Sequence, residues 1–429
     1  IIFYCGNEGP IEMFYKNTGF VTQILSKELK ALVLYMEHRY FGESQPFGDE
    51  KTSLQKGNNQ YLTSIQALSD YVEFLIYIKK SLQCQEKECP IIAVGGSYGG
   101  MLAAWIRMKF PNLVDASLAA SAPIFQFLNR ENLDQTKYFQ IITNNYPCRD
   151  KIKTAYQILQ NLLNEKNKIL EQNNIFQQIS QAMGLCQPLK NNTDVLNLRN
   201  YMDNAYSYMA MTNYPQETTF LKHLPPWPAN FSCIFFQNIT QQSSVFDLFS
   251  AVRNSTRTLY DFDQKNNCAD ISQADQTVSD DNMEGWDILS CADMVLPMFS
   301  NGKTDMFYNS TWDLETYKQN CRKAYGVSPN PNWALNFYGG RNDQEMKGFS
   351  NIFFSNGMLD PWSGGSPTQF INENLPVFYM EQAAHHNDLR LPAQGDPQSV
   401  IQGRKLEIFY IKKWIRFYEN NNNQSFEEN

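Results

Sequence analysis

The sequence predicts an α/β fold: a mostly parallel sheet with helices on both faces, interrupted by an inserted helical cap. Three observations carry this. Strand-like apolar runs alternate with helical patterns over residues 1–125, as crossover connections between parallel strands require. Polar, Asn/Gln-rich segments of helical periodicity then fill 126–285, with strand signals fading. Strand-like runs return at Asn351–Asn356 and Val377–Met380, ahead of a last amphipathic helix.

Taken in order, Ile1–Cys5 reads as the middle of a buried strand and leads into the loop Gly6-Asn7-Glu8-Gly9-Pro10. Ala31–Met36 is a second strand, ending in Glu37-His38-Arg39-Tyr40. Thr63 starts a helix, Gln66 completes a capping-box pattern, and Ile65, Leu68, Val72, Leu75 and Ile76 form its apolar stripe. Ile91–Val94 is a short strand running straight into Gly95-Gly96-Ser97-Tyr98-Gly99, and the chain leaves through Met101–Ile106 as a helix. A further strand is expected near Val114–Ala119. Tyr156–Leu170 shows the helical periodicity of the cap. An amphipathic helix from about Ser399 to Tyr418 closes the core, with Leu406, Tyr410, Trp414, Ile415 and Tyr418 inward. The expected organisation is therefore core at 1–125, cap at 126–285, core again at 286–419 and a disordered tail at 420–429. A chain that opens inside a buried strand is expected to be a fragment lacking upstream strands and any leader.

The composition is that of a globular protein with a sizeable core: 429 residues, 42% hydrophobic and 19% charged. A net charge of −8 argues against nucleic acid and anionic membrane surfaces as partners. No apolar run approaches the roughly 18–20 residues needed to span a bilayer. The nine cysteines include no C-x-x-C pair, so structural zinc is not expected. Their odd number leaves one thiol, assigned to Cys5 on its buried strand. Asn-x-Ser/Thr acceptors stand at Asn191, Asn230, Asn238, Asn254, Asn309 and Asn423. Acceptors and cysteines together favour an oxidising route: lysosomal, vacuolar or secreted.

Ser97 is the focus of the chemistry. A strand that turns abruptly into a helix through G-x-S-x-G is the nucleophile elbow of α/β-hydrolases, where neighbouring Cβ atoms would clash with strand and helix. The turn lifts the Ser97 hydroxyl out of the sheet. The N–H of Tyr98, at the helix start, points where an oxyanion would form. A serine nucleophile needs a base, and the base needs an orienting carboxylate. In this fold the chain order is serine, acid, histidine. Of His38, His223, His385 and His386 only the last three follow Ser97, and His223 falls in the cap. His385 and His386 come soon after the last strand, where the fold places its base; His385 is preferred and His386 is the alternative. Asp360, in the loop directly after Asn351–Asn356, is the preferred acid, although Asp-Pro alone is a common turn starter. The N–H of Asn7, in the glycine-rich loop, is the candidate second oxyanion donor. No nucleotide fingerprint accompanies that loop, and no metal or organic cofactor is called for.

At this point the chain resembles one family, the serine peptidases that comprise lysosomal Pro-X carboxypeptidase and dipeptidyl peptidase II. The matching blocks are Phe3–Gly9, Glu37–Ser44, Gly95–Met101, Ser355–Gly365 and Ala384–Arg390, in the family's order. The resemblance implies an α/β-hydrolase core with a helical cap, cleavage after proline, and Ser97, Asp360 and His385 as the triad. It places Met101, Leu296 and Trp362 around a proline pocket, where an apolar ring would pack on the indole. It implies the disulfides Cys148–Cys233, Cys186–Cys268 and Cys291–Cys321. Cys84 and Cys89, flanking a short polar loop, are expected to form a local bridge of their own. The chain departs from the family at Cys5, where threonine is common, and at Phe299, where one end of a further bridge would fall.

The expected function is a serine exopeptidase acting on peptides with proline near a terminus. Met294–Pro297, Leu224–Pro228 and Tyr338–Gly340 look more like the carboxypeptidase branch, which releases a C-terminal residue. Release of an N-terminal dipeptide is the alternative, and a homodimer is left open. An esterase or lipase should show a mobile apolar lid, whereas this cap is polar and rich in cysteine. A non-catalytic binding module on this fold usually lacks a triad member, and none is missing here.

Overall fold

Six short strands form one sheet: Ile2–Cys5 (β1), Val33–Met36 (β2), Ile92–Gly96 (β3), Ala116–Ala120 (β4), Ile352–Gly357 (β5) and Val377–Met380 (β6). Their order is β2-β1-β3-β4-β5-β6, and every neighbouring pair is parallel. The structure is a computed structural model that describes residues 1–84, 88–164, 169–273 and 283–427. Side chains alternate across the sheet. Phe3, Cys5, Ala93, Ala119 and Phe354 face one core, with Leu68, Tyr71, Met101 and Trp105 from the helices Ser64–Ser81 and Tyr98–Lys109. Ile2, Tyr4, Ile92, Val94, Leu118 and Phe353 face the other, with Phe20, Val21, Ile411 and Trp414. Both faces are covered, which is why these strands read as nearly continuous apolar runs. This is an α/β fold built on one parallel sheet covered on both faces.

Several boundaries differ from the sequence reading for local reasons. β2 starts at Val33 and not Ala31, because the Ala31 amide closes the preceding helix on the Ser26 carbonyl. β4 starts at Ala116, since the Val114 amide is held by the Phe110 carbonyl. Thr63 does cap its helix, but the capping box is not reciprocal: the Gln66 side chain accepts instead from Arg39 Nη1 at 3.0 Å. That helix buries Ala67, Leu68, Tyr71 and Leu75, while Ile76 is 55% exposed. The face is set by Tyr71, whose hydroxyl donates to the Gly6 carbonyl at 2.9 Å.

The closing helix runs Gln398–Glu427, through most of the segment expected to be a disordered tail. Its last residues contain neither proline nor glycine, so nothing in the backbone stops it. Residues 428–429 lie outside the described residues, as does the side chain of Tyr418. Its inward face is Val400, Arg404, Glu407, Ile411 and Trp414, with Leu406, Tyr410 and Ile415 only partly buried.

Between β4 and β5 lie the helices Lys137–Asn145, Arg149–Asn164, Ile169–Met183, Asn192–Met211 and Val245–Tyr260. They share a separate core that includes Leu159, Leu198, Met202, Met209, Phe249 and Val252. Capping boxes start two of them, Asn191 with Asp194 and Ser244 with Asp247. Ile288, Leu289 and Met294 pack with the sheet, but Met306 and Phe307, inside the segment expected to be core, pack into the cap. Disulfides join Cys84–Cys89, Cys148–Cys233, Cys186–Cys268 and Cys291–Cys321. Cys5 is free and buried, and burial pushes its thiol far above the usual range. Asn191, Asn230, Asn238, Asn254 and Asn309 are all exposed, whereas the side chain of Asn423 lies outside the described residues.

Candidate active site

All-parallel pairing sends the carboxyl ends of β1, β3, β5 and β6 to one edge, which is where ligands bind in open α/β sheets. The chemistry-bearing loops leave from that edge. β3 ends at Gly96, Ser97 adopts φ 57° and ψ −129°, and a helix begins at Tyr98. A non-glycine residue in this region is strained, and the surroundings hold it there. The Ser97 amide donates to the Ala120 carbonyl on β4 at 2.9 Å, and the Met101 amide donates to the Ser97 carbonyl at 3.0 Å. A Cβ on Gly95 would overlap the Gly99 carbonyl, and one on Gly99 would overlap the Asn7 side chain. The Tyr98 amide occupies the first helical position, where no intrahelical acceptor exists. Asn7 packs against the same turn, its Nδ2 donating to the Gly96 carbonyl at 2.6 Å and its Oδ1 accepting from the Tyr4 hydroxyl at 3.2 Å.

Asp360 follows β5 and caps the turn Pro361–Gly365. Its Oδ1 accepts from the Trp362 amide at 3.0 Å, and its Oδ2 meets His385 Nδ1 at 2.9 Å. Both side chains are buried. A carboxylate on Nδ1 orients the ring and leaves Nε2 for a reacting group. The cap braces both loops. Asn145 Nδ2 donates to the Leu359 carbonyl at 2.9 Å, the His385 amide donates to the Met211 carbonyl at 3.1 Å, and the Tyr214 hydroxyl donates to the His385 carbonyl at 3.0 Å.

The other histidines are occupied differently. His386 is left-handed at φ 35° and ψ 44°, its amide donates to Ser121 Oγ at 2.7 Å, and its ring lies against Gly96. Burial keeps that ring well below its usual range and so neutral. His38 is buried beneath the elbow, its Nε2 3.0 Å from the Tyr98 hydroxyl; burial pushes it down to about 4. His223 stands between Glu217 and Asp263, whose hydrogen bonds raise it.

A cavity of about 290 Å³ opens over the elbow. It is lined by Ser97, Tyr98, Asn7 and His385, and also by Met101, Leu296 and Trp362. The structure thus brings together every candidate catalytic, oxyanion and pocket residue read from the sequence except Asp360, which reaches the cavity through His385. The sequence reading missed the cap's share. Asn204, Ser207, Tyr208 and Met211, spaced by three and four, line the cavity from one stripe of the helix Asn192–Met211. It also missed Trp286, which packs edge-on to Tyr98 at 5.7 Å, and Glu8. Glu8 Oε2 has no hydrogen-bond partner among the described residues, and burial raises its carboxyl.

Residues 1–407 match the family model described as serine carboxypeptidase S28. The chain is similar to the lysosomal Pro-X carboxypeptidase of Mus musculus, 38% identical over 426 residues that cover 98% of this chain and 83% of that protein. It is 37% identical to the protein of that name from Bos taurus, over 97% of this chain and 80% of the other. A prolyl carboxy peptidase like protein 5 of Caenorhabditis elegans is 33% identical over 97% of this chain and 83% of its own length. Taken with the elbow, the parallel sheet and the cavity at its edge, these matches show that the chain belongs to the serine carboxypeptidase S28 family of serine-type peptidases.

Proposed function

We propose that this chain is an exopeptidase that cleaves after proline and releases the C-terminal residue, with Ser97, His385 and Asp360 as its triad. The observation that carries the reading is the buried Asp360–His385 pair facing one cavity with a strained serine. His385 Nε2 takes the Ser97 proton as Oγ attacks the carbonyl of the proline, and the Tyr98 and Asn7 amides hold the oxyanion. The same nitrogen returns the proton to the leaving amine, and water repeats the cycle on the acyl-enzyme. Met101, Leu296 and Trp362 give the proline ring an apolar wall. The cap above this wall would admit chain ends only.

No lysine or arginine is among the described residues lining the cavity, so neutral groups such as Tyr138 and Ser207 would meet the substrate carboxylate. Ser97→Ala should reduce kcat by several orders of magnitude, roughly 10³-fold or more. Offering one peptide ending in Pro-X and another starting with X-Pro separates the modes; an active Ser97→Ala enzyme would end the reading.

The second reading, release of an N-terminal dipeptide, is favoured by Glu8, which could pair with a substrate ammonium. Burial disfavours the charge that this needs. Glu8→Gln should therefore leave Pro-X cleavage within about threefold in acidic buffer; a selective loss on X-Pro peptides would reverse the preference. A lysosomal location fits the disulfides and the exposed acceptors Asn191, Asn230, Asn238, Asn254 and Asn309. Endoglycosidase treatment of the secretory-pathway protein should lower its mass.

A further inference from the structure

Behind the loop that carries His385, two acidic side chains are fully buried on elements that pack together. Asp388 lies on the turn Asn387–Leu389, Glu407 lies on the closing helix, and both are 0% exposed. Asp388 Oδ2 accepts from the Ser355 hydroxyl. Asp388 Oδ1 and both oxygens of Glu407 find no donor among the described residues. The turn packs on the closing helix, where Arg404, one turn before Glu407, holds the Asp388 carbonyl and so sets the two acidic residues on facing elements. Ionised carboxylates only accept, so a hydrogen bond between two of them needs a proton.

Nearby donors do not reach the two carboxyl groups: Asn387 Nδ2 and Arg390 Nη1 are themselves without a partner among the described residues. Arg404, on the same helix, donates Nε to the Asp388 carbonyl at 2.7 Å and Nη2 to the Asn387 and Arg390 carbonyls at 3.0 Å each. Its Nη1 pairs with Asp396. Arg390 donates to Thr218 Oγ1 and lies over the Tyr214 ring, and His386 is neutral. β4, β5 and the segment Phe20–Leu25 carry no ionisable side chain, and β6 carries only Tyr379, whose hydroxyl pairs with Ser363. Burial first, then the Asp388 charge, raises the Glu407 carboxyl well above the usual range.

We propose that Glu407 keeps a proton that it presents to Asp388, and that this buried pair is a positioning device which pins the turn after His385 in acid and loosens it as pH rises. With the proton in place, the turn is tied to the helix and to Ser355, and the His385 ring stays on Asp360. Without it, two negative charges share an apolar site, and the turn relieves them only by moving. The folded chain binds this proton more tightly than the unfolded one. The stabilisation is therefore full below the ordinary carboxylate range and is lost as pH rises toward the raised value.

The consequence for catalysis rests on the proposed peptidase reading; the pairing itself does not. Glu407→Gln supplies an amide donor to Asp388 at any pH. In acid its kcat/KM on a Pro-X peptide should stay within about twofold of wild type. Its alkaline limb should move up by about one pH unit, and its Tm should fall less than that of wild type between about pH 5 and 8. Asp388→Asn removes the other charge, should act in the same direction, and carries the comparison if Glu407→Gln does not fold. A merely structural role would lower Tm equally at every pH. Unshifted limbs with parallel Tm curves overturn the proposal. If wild type cleaves no Pro-X peptide, the peptidase reading fails while the Tm curves still decide the pairing.

Discussion

His385 and His386 are neighbours in sequence with opposite chemistry. The first meets a buried carboxylate at Nδ1, and the second is buried with its Nδ1 unpartnered among the described residues. Only one of them can therefore gain from an imidazolium, and replacing the acid should expose this. Asp360→Asn should lower kcat by roughly 10³–10⁴-fold with little change in KM, because the amide no longer stabilises the charged ring. Steady-state kinetics on a Pro-X peptide checks it. The proposed acid and base, Asp360 and His385, were legible as residues after two late strands. Glu8 was not, since a glutamate in a glycine-rich loop carries no sign of the burial it will meet.

At the scale of elements, the strand–elbow–helix unit depends on the absence of side chains. A Cβ on Gly99 would meet both the Asn7 side chain and the Cys5 carbonyl. Gly99→Ala should therefore displace the loop that carries Asn7, lowering kcat at least about tenfold, or prevent folding. The cap bridge Cys186–Cys268 closes 82 residues, whereas Cys84–Cys89 closes five. Loss of the first should cost about 2–5 kcal/mol and loss of the second clearly less, read as Tm shifts of the two double Cys→Ser variants. Helix existence was legible from period; the buried face was not always. Ile76 is apolar and exposed because the Tyr71 hydroxyl turns its helix toward Gly6.

For the whole molecule, the arrangement is a sheet edge closed by a cap, with hydrogen bonds donated by Asn145 and Tyr214 and accepted by the Met211 carbonyl crossing between them. The pH response belongs at this scale. Burial raises Asp293 to about 6 and Asp203 to about 6, and it also raises Glu8 and Glu407. Each group binds its proton more tightly folded than unfolded, so its stabilisation is present in acid and is lost as pH climbs from about 4 through the raised value. The lowered His38 and His386 act in the opposite sense below about 6.5, so Tm should fall with rising pH between about pH 6.5 and 7.5, where Glu407 alone still carries the trend. Thermal melts across that range check it, and a curve rising with pH would contradict it.

The amino-acid sequence by itself determined the parallel sheet and the elbow, and singled out the serine, acid and base proposed for the triad. These depend on short-range constraints: apolar runs, a turn only small residues permit, and loops that follow strands. Tertiary structure alone decided what surrounds them. The cap stripe Asn204–Met211, the buried carboxyl of Glu8 and the Asp388–Glu407 pair bring together residues distant along the chain, and burial sets their chemistry. Burial depends on what packs opposite, and no local pattern records that.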